Sequence, residues 1–118
     1  MSEGDKPDER RLHRRVPVDL LVRLKFGSVE QFLSAHSRDI SRGGLFVKGL
    51  TKNVRGEPLQ PLQRLQLQLD AGGERVASGE ARVVRVTKDG VALEFVDLDE
   101  LSAELIEAIL SRGLLDKL

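Results

Sequence analysis

The chain of 118 residues contains no Cys, no Trp and no Tyr, and only four Phe, two His and one Met. Without Cys, a disulfide framework, a thiolate nucleophile and a Cys-ligated metal site are all excluded. The shortage of aromatic rings counts against a single-stranded nucleic-acid platform, because such sites stack bases on aromatics. Long apolar runs are also missing. None exceeds three residues, Leu20-Leu21-Val22 being typical, and no such run crosses a bilayer. The charged start, Met1 to Glu9, is not followed by the apolar stretch of a secretory signal. A cytoplasmic protein without membrane insertion is expected.

The recognisable arrangements of a catalytic site are absent as well. There is no phosphate-cradling G-x-x-x-x-G-K-[ST] and no G-x-G-x-x-G. Ser41 follows Ile40 and so lacks the Gly-x of a nucleophile elbow. His13 and His36 have no neighbours at a spacing that builds a metal site or an acid–base pair. No catalytic residue, no metal site and no enzymatic activity are therefore predicted.

What is present is one domain's worth of ordinary globular sequence, 40% hydrophobic and 32% charged, long enough to bury a core unaided. The 19 Lys+Arg and 19 Asp+Glu balance to a net charge of zero, which gives little pull toward a polyanion, so a nucleic-acid polymer is not an expected partner. The zero hides an asymmetry. Between Arg10 and Lys25 six Lys/Arg face Asp19 alone, a net of +5, and between Asp89 and Leu118 eight acids face Arg112 and Lys117, a net of −6. Either an anionic partner is held at one place, or the two ends complement each other or are simply solvated.

Met1 to Glu9, with five charged residues in nine, reads as a flexible tail. Pro17 to Phe26 alternates, placing Val18, Leu20, Val22, Leu24 and Phe26 on one face of a strand. Ser28 to Ser37 also fits a helical turn through Val29, Phe32 and Leu33; a loop leading into a strand over about 32–38 is the reading preferred. Asp39 to Gly44 is a turn by composition, and Leu45 to Lys48 a short strand. Alternation returns over Leu62 to Leu69, Ala71-Gly72-Gly73 closes a hairpin, and Glu74 to Val86 is a strand kinked near Gly79. Lys88-Asp89-Gly90 turns into a last strand, Val91 to Val96. Six or seven short strands in a domain of this size predict a mainly β fold, a small six-stranded antiparallel barrel.

A helix over 97–112 follows, its apolar stripe made by Leu98, Leu101, Leu105 and Ile109 and widened by Ile106 and Leu110. Asp97 and Glu100 are spaced like a capping box, and Gly113 stands where a C′ glycine belongs. Leu114, Leu115 and Leu118 are apolar enough to plug the barrel or to meet another subunit, which would make a homodimer. Three Phe (Phe26, Phe46 and Phe95) fall on core phases, and Phe32 is undecided.

Two segments carry the chemistry. Arg10-Arg11-Leu12-His13-Arg14-Arg15 precedes the first strand. A guanidinium matches a phosphate or the O6/N7 edge of guanine with two parallel hydrogen bonds and stacks on flat rings. In Asp39-Ile40-Ser41-Arg42-Gly43-Gly44, the carboxylate can accept from the N1/N2 donor edge of guanine, the hydroxyl can donate or accept, and Gly44 lets backbone come close. Taken singly, the first is a solvated basic tail and the second a turn whose Asp and Ser cap their own backbone.

Together they resemble the PilZ domain, a family of bacterial receptors for cyclic di-GMP, whose signature is RxxxR ahead of the barrel and [D/N]xSxxG at the turn after the second strand. Arg11 to Arg15 and Asp39 to Gly44 match both. Arg10 to Arg14 also satisfies RxxxR, but the Arg11/Arg15 register is chosen because the family's second Arg abuts the first strand. Gly44-Leu-Phe-Val47 and Gly90-Val-Ala-Leu-Glu-Phe95 extend the likeness over nearly the whole chain from Arg10.

The resemblance implies a PilZ-like domain over 10–118, with 10–15 as the ligand-closing loop, 16–96 as the barrel and 97–112 as the helix. It implies that Arg11 and Arg15 hold guanine edges and phosphates, with Arg10 stacking on a base of an intercalated ligand dimer and Arg14 in the same loop. Asp39, Ser41, Gly43 and Gly44 would form the barrel side of the site. No cofactor is implied beyond the ligand, and an unidentified downstream protein would receive the signal. The alternative is a ligand-independent adaptor of the same fold that works through protein contacts.

Overall fold

The computed structural model describes residues 15–27, 31–70 and 75–116, with the side chains of 113–116 left aside. Seven strands precede one helix: β1 (Val16–Pro17), β2 (Leu21–Phe26), β3 (Leu33–Ile40), β4 (Gly44–Lys48), β5 (Arg64–Asp70), β6 (Val76–Thr87), β7 (Gly90–Leu98) and α1 (Glu100–Asp116). All pairings between them are antiparallel, in the order β1-β3-β2-β5-β6-β7-β4, and β4 returns to pair with β3. Six strands, β2 to β7, thus close into a barrel and β1 is a short addition along β3, as the alternating sequence predicts. Closure leaves no exposed edge in the ring.

The interior is aliphatic and follows the period of two. Val22, Leu24 and Phe26 of β2, Leu65, Leu67 and Leu69 of β5, Ala81 and Val83 of β6, and Val91 and Leu93 of β7 are all buried in one cluster. The first predicted strand is broken in two. Residues 18–20 leave the ladder, and Ser37 of β3 fills the gap: its hydroxyl donates to the Val18 carbonyl at 2.6 Å and accepts from the Leu20 amide at 2.9 Å. Ser37 is fully buried, so these bonds satisfy a hydroxyl that would otherwise be orphaned. Leu62 also departs from expectation. It lies in a turn before β5 with φ of 72° and 71% of its surface exposed.

β3 and β4 lose register between Ser37 and Asp39. This bulge shifts the phase: Ser37, Asp39 and Ile40 are all buried, and Arg38, left exposed between them, donates a hydrogen bond to Asp39. The irregularities of β6 fall between Glu80 and Ala81 and between Val83 and Arg85, beyond Gly79 itself. Gly79 is required for a different reason, since a Cβ there would sit 2.3 Å from the Asp97 carbonyl oxygen.

The helix is capped two residues later than the Asp97/Glu100 pattern predicts. Asp99 is the N-cap, accepting the Ser102 amide on Oδ1 at 2.7 Å; Asp97 is still in β7, paired with Glu80. The helix also continues through Gly113 to Asp116, so Gly113 is not its C′ residue. The buried stripe is Ser102, Leu105, Ile106 and Leu110, and Leu101, predicted to belong to it, is 67% exposed. Shifting the cap rotates the face that meets the barrel, and Ser102 fixes the docking by accepting the Ser78 amide of β6 at 2.9 Å. α1 packs against β6 and β1. Leu118 lies outside the described residues.

Candidate functional site

The bulge in β3 and the short strand β1 bring the two halves of the sequence pattern together. Pro17 stands opposite Asp39 in the β1–β3 ladder, and Arg15, two residues earlier, reaches Asp39 diagonally across it. Its Nη1 lies 2.5 Å from Asp39 Oδ1. The other carboxylate oxygen, Oδ2, accepts from Arg38 Nε at 3.1 Å. One carboxylate, with its side chain 13% exposed, is therefore held between two guanidinium groups that remain about half exposed, at 48% and 56%. The cluster carries a net charge of +1.

Arg38 was not singled out by its position in the sequence. Its Cζ lies 3.8 Å over the centre of the Phe46 ring, a cation–π contact. Phe46 faces Asp39 across the β3–β4 ladder and is buried without joining the inner cluster. The signal that would have found this pair is the bulge, which no alternation pattern encodes.

Ser41, Gly43 and Gly44 build the turn beside Asp39. The Ser41 amide donates to the Gly44 carbonyl at 2.8 Å, and the Ser41 hydroxyl reaches the same carbonyl and accepts the Gly43 amide, both at 3.3 Å. Gly44 is where β4 presses on β7: a Cβ there would meet the Leu93 carbonyl oxygen at 1.9 Å. Arg42 leaves the turn toward the helix, where Nε pairs with Glu107 Oε2 at 2.5 Å and Nη2 with Oε1 at 3.3 Å. The turn is thereby tied to α1 by a two-pronged ion pair. Arg10, Arg11 and Arg14 lie outside the described residues.

His36 is in a second cluster further along the sheet. Its Nδ1 is 2.7 Å from Asp19 Oδ1, and Lys48 Nζ is 3.2 Å from Asp19 Oδ2. The imidazole first, then the ammonium, hold the Asp19 carboxyl below its usual range. Among the described residues no three His, Cys, Asp or Glu converge as metal ligands, and no helix is long and apolar enough to cross a membrane.

The closed six-stranded barrel thus has one helix and carries an Arg–Asp cluster beside a D-x-S-x-x-G turn. The profile of the PilZ domain matches residues 9–112, and the chain belongs to that family, a family of cyclic di-GMP receptors. Its domains bind and relay; they are not enzymes. Among solved structures, the Bacillus subtilis inhibitor of motility (MotI/DgrA) superposes with a TM-score of 0.69 at 23% identity, over 89% of this chain. The likeness is one of fold, and it spans about half of that protein, 51% of its length. No curated protein sequence matches this chain.

Proposed function

We propose that this protein is a non-enzymatic, cytoplasmic receptor for cyclic di-GMP that signals to a partner protein. The observation that carries the reading is the Arg15–Asp39 pair, which joins the two family motifs in space although 24 residues separate them. In the structure these groups satisfy each other. A bound cyclic dinucleotide offers each a better-suited partner. A phosphate or the O6/N7 edge of guanine takes the Arg15 guanidinium, and the N1–H and N2–H donors of guanine take the Asp39 carboxylate. Exchanging one charge-assisted bond for another leaves no buried charge unpaired.

Arg10, Arg11 and Arg14 would close over the ligand, with Arg10 stacking on a base. Ser41, Gly43 and Gly44 hold the turn and bring Ser41 to the edge of the site. Because α1 packs on β1 and is tied to the turn through Arg42 and Glu107, ordering of the lead-in segment changes the surface beside the helix. That surface is where a downstream protein would read the bound state.

Isothermal titration of cyclic di-GMP into the wild type and into Arg15→Ala, with GTP as control, tests the reading. Saturable heat from the wild type, lost in the variant, is the expected result, and the stoichiometry distinguishes one ligand from an intercalated pair. No heat from a folded wild type would overturn the receptor reading in favour of a ligand-independent adaptor.

A further inference from the structure

We infer that Arg38 is a positioning residue that gives the site its preference for guanine, acting through Asp39; the inference rests on the receptor reading above. Arg15 is the partner that Asp39 gives up when an anionic ligand recruits that guanidinium. Arg38 stays, because it is fixed from two sides. Its Nε is spent on Asp39 Oδ2 at 3.1 Å, and its Cζ lies 3.8 Å over the centre of the Phe46 ring. Phe46 itself cannot shift freely. It is 4% exposed, and its edge lies against Gly90, where an added Cβ would come within 2.9 Å of Cε1.

The chain of support therefore runs from the β4–β7 contact through the Phe46 ring and the Arg38 guanidinium to the carboxylate. A carboxylate reads guanine only when both its oxygens are aimed, because the N1–H and N2–H donors lie side by side on one edge. Adenine presents no such pair there, so a well-aimed Asp39 rejects it by leaving Oδ1, the oxygen that Arg15 gives up, without a donor. The bulge is what makes this possible: it sets Arg38 beside Asp39 where a regular strand would have put them on opposite faces. Lys would not replace Arg38, since an ammonium cannot lie flat on a ring while donating along the plane.

The test is competitive calorimetry of cyclic di-GMP and cyclic di-AMP against wild type, Arg38→Met, Arg38→Lys and Phe46→Leu, each first shown to be folded by its amide NMR spectrum. Arg38→Met is expected to weaken cyclic di-GMP binding about tenfold while leaving cyclic di-AMP binding unchanged. Arg38→Lys should fail to restore the preference, and Phe46→Leu should lower it in the same direction by about threefold. Wild-type preference in Arg38→Met, or a parallel loss of both ligands, would overturn the inference and leave the receptor reading intact. Absence of any cyclic di-GMP binding by the wild type would instead overturn the receptor reading, and this inference with it.

Discussion

The two turns that close the ends of the β4–β7 ladder are built alike and differ in what surrounds them. At one, the Ser41 hydroxyl spans the turn to the Gly44 carbonyl and accepts the Gly43 amide. At the other, the Thr87 hydroxyl reaches the Gly90 carbonyl at 3.4 Å and accepts the Asp89 amide at 3.1 Å. Both end in a glycine pressed against the facing strand: a Cβ would meet the Leu93 oxygen at 1.9 Å from Gly44 and the Val47 oxygen at 2.1 Å from Gly90. The residue two places before the hydroxyl is Asp39 in the first turn and Arg85 in the second. Only the first has β1 beside it, and with β1 comes Arg15. The S-x-x-G part of the motif is thus a way of turning a strand tightly. The acid ahead of it and the arginines brought alongside make up the candidate site.

Substituting the two glycines probes the shared part. Gly44→Ala and Gly90→Ala should each destabilise the barrel by about 3 kcal/mol, because backbone on the facing strand cannot yield as a side chain does. Thermal unfolding followed by far-ultraviolet circular dichroism checks this, and a drop at one turn only would break the likeness between them.

The charges probe the difference. Asp39→Ala is expected to weaken cyclic di-GMP binding by about 100-fold, the loss of a charge-assisted pair of bonds, whereas Arg85→Ala should leave affinity unchanged. Equal effects in calorimetry would show that the two turns are not functionally distinct. Next, Ser41→Ala and Thr87→Ala remove the same kind of turn bonds and should each cost about 1 kcal/mol. Only the Ser41 change should also lower ligand affinity, so a denaturant titration and a binding titration on the same pair separate turn-making from contact.

The smallest effect lies at the helix cap, away from both turns. The Ser102 amide, and then its hydroxyl, hold the Asp99 carboxyl below its ordinary value. A carboxyl whose pKa is lowered by folding stabilises the fold above its unfolded pKa and loses that contribution as pH falls through the folded value. Asp99→Asn keeps a capping acceptor that does not titrate. Its unfolding temperature should therefore fall less steeply than that of the wild type between about pH 5 and about pH 2. Parallel acid limbs would show that the cap does not sense pH.

The barrel was legible because its strands are half-buried and alternate. Leu65, Leu67 and Leu69, or Val22, Leu24 and Phe26, declare their inner face with no help from context. The helix was legible in existence and less so in phase, since Asp97, Asp99 and Glu100 all suit an N-terminus and only docking on β6 through Ser102 selects Asp99. The site's motif residues could be named from the chain, through Arg15 and Asp39. Their contact could not.

By itself, then, the sequence determined the aliphatic barrel, the tight glycine turns and the residue types fit to meet a guanine nucleotide, because period, turn chemistry and donor sets are local properties. The tertiary structure decided that β1 splits from β2 around Ser37, that a bulge turns Arg38 and Asp39 to one side, that Phe46 supports Arg38 and that Arg42 ties the turn to Glu107. Each of these depends on which strand lies beside which, and closure of the ring sets that order at a distance no local pattern spans.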